Sequence, residues 1–211
     1  MKYITLIIAF LLFSCGKKED VLLPKSNVTI VKDVQDLSPI YIFFKVEGKD
    51  TIAEVNRKSS IISTNWIFNI DKRLPLKLVI PEIMKLQEKK RADSAHKNEN
   101  AENYYSYADS VGKNLAFLPF TKVFYKNKKP MDQPGFVFEF RKGNDLVLLN
   151  NHFEVKKDNI LKELYKINFA INPKIVFIFD ENMSYEEYIQ NKILVRDLDT
   201  FNDEIPSEFI F

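Results

Sequence analysis

The chain has 211 residues, 45% hydrophobic and 28% charged, which suits one domain with a sizeable core or two small ones. Lys and Arg number 31 against 29 Asp and Glu, a net charge of +2. That is too even for a nucleic-acid-binding field, or for adhesion to an anionic membrane by charge alone. With 18 Phe and 9 Tyr against only 5 Gly, the composition favours packed sheets and argues against glycine-rich phosphate loops.

Met1-Lys2 opens the chain and an apolar run, Tyr3 to Phe13, follows. A membrane-spanning helix needs about 20 apolar residues, so this run reads as the core of a signal peptide over residues 1–14. Leu12-Phe13-Ser14-Cys15 then resembles the bacterial lipobox. The resemblance implies cleavage before Cys15, lipid on its thiol, and a place in the cell envelope on the extracytoplasmic side of a membrane. The alternative is an uncleaved membrane anchor. Cys15 is the only cysteine, so it has no internal disulfide partner. Gly16-Lys17-Lys18-Glu19-Asp20 resembles the surface-export signal of Bacteroidetes lipoproteins, and reads equally well as a solvated tether. Residues 15–35 are expected to be a lipidated tether.

A first lobe is expected over residues 36–92. Ile40 to Val46 is a β run, Glu47-Gly48-Lys49-Asp50 a turn, and Thr51 to Val55 the returning strand. Asn65 to Ile70 is a further strand ending at Asp71. Leu76, Val79, Ile80, Ile83 and Met84 then mark one helical stripe, which Pro81 should kink or restart. Residues 93–114 read as a polar linker or loop, within which Tyr104 to Tyr107 is β-like but irregular, as is Leu115 to Tyr125 after it.

The second lobe is expected over residues 115–211. Phe136 to Phe140, a turn at Arg141 to Asp145, and Leu146 to Leu149 form a hairpin that Asn150-Asn151 ends. Asp158 is placed to cap a helix bearing Ile160, Leu161, Leu164 and Tyr165. Lys174 to Phe179 is a continuous apolar strand ending at Asp180. Ser184-Tyr185-Glu186-Glu187 has the form of a capping box that opens the last helix, and Glu208 to Phe211 is a final short strand.

Laying Ile67–Ile80 over Val176–Ile189 without gaps matches Phe68 with Phe177, Asp71 with Asp180 and Ile80 with Ile189. Both copies read strand, Asp, short turn, helix, which predicts a structural repeat. The second copy resembles the periplasmic domain of the ExbD/TolR biopolymer-transport family over residues 136–211, with a weaker echo at 40–90. The resemblance rests on the hairpin closing on Leu149-Asn150, the helix from Asp158, the strand closing on Asp180, and Met183-Ser184-Tyr185. It implies an α+β fold of mixed sheets flanked by two or three helices, arranged as two related lobes. It also implies a homodimer, or a hold on peptidoglycan or an envelope protein of a TonB/Tol-type transport system. The family's proton-coupling transmembrane aspartate has no counterpart here, because Tyr3 to Phe13 carries no acidic residue.

No residue pattern designates a catalytic, cofactor or metal site. His96 lies in a polar stretch, His152 follows a turn, and neither a Gly-x-Ser-x-Gly nor a His-Glu-x-x-His motif occurs. Asp71, Asp180 and Tyr185 are the candidate partner-binding or turn-capping residues, with turn capping preferred for the two aspartates. Trp66, Tyr104, Tyr105 and Tyr107 read as a sugar- or peptide-binding patch or as core, with core preferred. The expected function is a non-enzymatic envelope module that associates with itself or with a partner, and with no nucleic acid. A surface-exposed ligand-binding lipoprotein and an envelope enzyme are the alternatives.

Overall fold

A computed structural model describes residues 20–92, 98–128, 135–164, 166, 174–196 and 207–211. The expected signal peptide over residues 1–14, Cys15 and Tyr165 lie outside these residues. The fold is α+β: two six-stranded mixed sheets and three helices among the described residues.

The first sheet holds β1 (Lys25–Ser26), β2 (Leu37–Glu47), β3 (Asp50–Asn56), β4 (Asn65–Ile70), β5 (Asn103–Asp109) and β6 (Asn114–Pro119). The second holds β7 (Phe124–Lys126), β8 (Phe136–Phe140), β9 (Leu146–Leu149), β10 (Phe153–Lys156), β11 (Ile175–Phe179) and β12 (Ser207–Ile210). Their orders are β1-β5-β4-β2-β3, with β6 beside β5, and β7-β12-β11-β8-β9-β10. Strand by strand the first five positions correspond. In each lobe three parallel pairings lead to an antiparallel hairpin. Helix α1 (Leu76–Ala92) follows β4 as α3 (Tyr185–Val195) follows β11. Only the second lobe adds a 3₁₀ turn (Lys157–Asn159) and short α2 (Ile160–Leu164) before its central strand.

The two lobes meet at the turns after their central strands, and the contact is two-fold. Pro75 bridges Ser184 in antiparallel fashion. The Leu76 amide donates to the Met183 carbonyl at 3.0 Å, and the Tyr185 amide to the Leu74 carbonyl at 2.8 Å. The Lys77 amide donates to Glu181 and the Glu186 amide to Lys72. Each pair maps onto the other by the same sequence offset that aligns Asp71 with Asp180. The lobes therefore satisfy each other's turn and helix-start amides, which a lone helix N-terminus would leave open.

Apolar alternation explains how each sheet is buried. Trp66, Phe68 and Ile70 enter the main core, while Ile67 packs on the opposite face with Val34 and Phe117. β11 is apolar throughout because both of its faces are covered, Phe177 and Phe179 toward the main core and Val176 and Ile178 away from it. One core cluster contains residues of both lobes, from Ile40 and Phe68 to Phe177 and Ile189.

Four sequence expectations are corrected. Residues 20–35 are not a free tether: the Leu22 amide donates to Asp71 Oδ2, Lys72 donates to the Leu22 carbonyl, and β1 pairs with β5. The polar stretch 93–114 contains β5, whose Asn103, Ser106 and Asp109 are bonded to Thr121, Asn69 and Thr29. β6 belongs to the first sheet, so the lobes divide after residue 119. Pro81 does not interrupt α1, which runs on to Ala92. In addition, Asp158 sits inside the 3₁₀ turn and not at a helix cap.

Candidate functional site

β2 runs past its neighbour. Its pairing with β4 ends at Ile42 and Ile70, where the Asp71 amide donates to the Ile42 carbonyl. Phe43 to Glu47 continue, paired among the described residues only with β3. At about 3.3 Å per residue this two-stranded arm extends roughly 17 Å beyond the sheet. Such a ribbon is marginal alone, and side chains brace its root. The Arg73 guanidinium lies 4.3 Å from the Phe44 ring centre, Tyr41 stacks on Phe43, and Lys45 pairs with Glu54. Gly48, at φ +63°, starts the two-residue turn in the left-handed region that suits a hairpin.

The arm's outer edge is open. Glu47 and Asp50 close the turn as a hydrogen-bonded pair, so the even-numbered residues of β3 bond inward. Thr51, Ala53 and Val55 then direct their amides and carbonyls away from β2, and no strand among the described residues takes them. The second lobe differs at the matching place. β8 stops at Phe140, where the Asp180 amide donates to its carbonyl, and β10 covers β9 over four paired residues.

Asp71 lies at the arm's root and is completely buried. Its carboxylate accepts from Arg73 Nε and Nη2, both at 2.8 Å, and from the Arg73 and Leu22 amides. Burial alone would raise its pKa, but the Arg73 and Leu22 bonds outweigh burial and hold it below the ordinary aspartate value. Asp180 is the half-exposed equivalent, accepting from the Asn182 amide at 2.8 Å and, at longer range, from Lys142. Both carboxylates thus serve the turns that follow their strands. Ser184 caps α3 by accepting from the Glu187 amide, but Glu187 does not close a capping box; its carboxylate reaches the Gly143 amide instead.

Tyr185 is buried in an inter-lobe cluster with Tyr105, Tyr125 and Tyr188. Tyr125 OH lies 2.5 Å from Tyr105 OH, Tyr188 OH donates to Glu208 Oε2, and Lys192 Nζ is 2.6 Å from Glu208 Oε1. Burial drives all four hydroxyls well above the usual tyrosine pKa. Tyr185 OH has no hydrogen-bond partner among the described residues. Trp66, Tyr105 and Tyr107 likewise lie in the core and not on a surface patch.

Lys90 is the other buried cation. It donates to the Thr64 and Glu102 carbonyls and to Asn103 Oδ1, and its ammonium lies 4.9 Å from the Trp66 ring centre. Burial lowers its pKa to about 8, against a smaller opposing pull from Glu102. Nothing in its sequence setting marks it, since its oxygens come from Thr64 before β4 and from Glu102-Asn103 at the start of β5.

Among the described residues, two larger grooves lie away from the arm, besides a small one of about 170 Å³ beside Lys90. One of about 550 Å³ runs between Lys25–Val28 and the end of α3. The other, about 640 Å³, lies beside β10 and includes Phe136, Leu149, Phe153 and Val155. No His, Cys, Asp and Glu group suited to a metal ion occurs among the described residues, and no described helix is long and apolar enough to cross a membrane. Compared with known proteins, the chain matches no family model, no curated protein and no solved structure.

Proposed function

We propose that the chain is a non-enzymatic envelope module, lipid-anchored through Cys15, that takes an extended segment of an envelope partner as an added strand on β3. The carrying observation is the projecting arm. Natural sheets cover or shorten their edges; the second lobe ends on the four-residue β10, whereas the first lobe lengthens its hairpin and leaves the seven-residue β3 as its outer strand. Strand addition draws affinity from backbone bonds and specificity from alternate side chains. A place in a TonB/Tol-type system rests on the sequence resemblance of residues 136–211 to the ExbD/TolR periplasmic domain. The buried ionisable groups support a binding role over an enzymatic one: Asp71, Lys90, Lys192 and Glu208 all spend their charge on internal partners.

A photo-reactive residue at Ile52, beside the open backbone groups, tests this in cells that make the full chain. A discrete adduct is expected from Ile52, none from the same residue at Phe153 on β10, and none from Ile52 once Ala53→Pro removes an outward amide. Adducts at neither position, or adducts unaffected by Ala53→Pro, overturn the reading. The β10 groove, with Phe153 highly exposed, favours the surface ligand-binding alternative, for which the Phe153 adduct would be the sign.

A further inference from the structure

Accepting strand addition at β3, we infer that the added strand is a heterologous segment carrying cations at alternate positions, and not a second copy of this chain. Asp50, Ile52 and Glu54 share one face of the edge strand. An incoming antiparallel strand would set its own alternate residues beside them, at the 4.5–5.5 Å typical of facing pairs. Acidic, apolar, acidic on the arm calls for basic, apolar, basic on the partner. Glu54 already meets Lys45 on the side toward β2, so its other side faces the vacant edge. Ala53 and Val55, on the second face, pack against the main core, and with Thr51 they supply no competing charge.

Self-pairing fails on the same row. The outward backbone groups fall on odd-numbered residues, so two copies about a two-fold axis can align only odd with odd and even with even. Three such registers join five or more residues. Pairing residues 50–54 with themselves sets Asp50 opposite Glu54 of the second copy, twice. Pairing 52–56 sets Glu54 opposite Glu54 of the second copy. The full register over 50–56 sets Glu54 against Ile52 of the second copy, with acidic residues on both diagonals. Like charges facing across a strand pair are destabilising, so each register is penalised, whereas a lysine-bearing strand turns the same positions into attraction.

The test uses the full lipidated chain in detergent and two synthetic peptides, Thr-Thr-Lys-Thr-Val-Thr-Lys and Thr-Thr-Glu-Thr-Val-Thr-Glu, with blocked ends. In isothermal titration the lysine peptide is expected to bind about tenfold more tightly than the glutamate peptide. Its binding should slow amide exchange at Thr51, Ala53 and Val55. Asp50→Lys, at an exposed turn position, should weaken the lysine peptide and strengthen the glutamate one, and Ala53→Pro should abolish both. Equal binding of the two peptides, abolished by Ala53→Pro, overturns the charge inference while leaving strand addition standing. Binding of neither peptide, together with no Ile52 adduct in cells, removes strand addition itself. A dimer in sedimentation that Ala53→Pro dissolves overturns the exclusion of a second copy.

Discussion

Lobe 1 and lobe 2 share strand order, junction turns and helix starts, yet they part at the hairpin. In lobe 2 the hairpin stops level with Asp180, and β10 fills its edge. In lobe 1 it runs five residues past Ile42, and nothing described pairs with its outer strand. A repeat holds the core constant, so differences between copies point to surface where selection acted on something other than stability. Here that surface is one arm on one lobe, so under the proposed function the described residues offer one acceptor edge despite the two-fold frame.

The comparison is sharpened first by breaking the shared frame. Phe177→Ala in lobe 2 removes a fully buried ring and should cost about 3–5 kcal/mol. Trp66, the sole tryptophan, reports on lobe 1. Because one core joins the lobes, the Trp66 fluorescence midpoint in urea should fall with the rest of the molecule. An unchanged Trp66 transition would show two independently folding lobes. Next, Lys192→Met leaves the buried Glu208 side chain without its cation, a loss of about 3–5 kcal/mol. Adding Glu208→Gln should restore much of it, as thermal unfolding of the single and double variants will show.

The paired aspartates give a smaller contrast. Asp71→Asn should cost about 2 kcal/mol, because charge-assisted bonds from Arg73 are lost in a buried place. Asp180→Asn, half-exposed, should cost under about 1 kcal/mol. The folded pKa of Asp71 lies below its unfolded value, so its contribution is present above the ordinary aspartate range and is lost as pH falls through the folded value. The wild type should therefore lose more stability on acidification than Asp71→Asn does, in urea titrations from pH 6 downward.

Lys90 gives the smallest effect; it shifts stability in the same direction with pH but by the opposite cause, burial that disfavours its charge. Its folded pKa of about 8 lies below the unfolded value, so between roughly pH 8 and 10 the unfolded chain binds more protons. Stability should rise modestly over that window and then be opposed as unfolded tyrosines ionise. Lys90→Met should remove the rise while costing stability at pH 7, since three oxygens lose their donor.

Much of the frame was legible in the chain. β4 and β11 announce themselves through aromatic and β-branched runs, and the identities at Phe68 and Phe177, Asp71 and Asp180, and Ile80 and Ile189 mark the matched pieces. Ser184 signalled its cap through short-range chemistry alone. What escaped is long-range. β1 is two residues whose pairing with β5 is a backbone matter. β5 looks polar because Ser106 and Asp109 find partners 37 and 80 residues away. The longer run at Ile40 to Val46 was visible, but an open edge is a property of neighbours: only the pairing of β10 with β9 shows that one hairpin is covered and the other is not. The Lys192–Glu208 pair joins a helix to a strand across the core, with no local pattern to betray it.

The docking of Leu22 gives the molecule a mechanical character. Its amide and carbonyl are both held at the Asp71 turn, and Pro24 and Ser26 continue the grip by accepting from Ala108 and Ser110. Any load arriving along the preceding residues enters the body there, where the arm is rooted through Arg73 and where Lys72 accepts from lobe 2's Glu186. Because β1 lies parallel to β5, its bonds would be loaded together in shear if the pull ran along the strand, and one after another if it ran across. The direction of pull would thus decide whether the arm is held steady or its footing is peeled away.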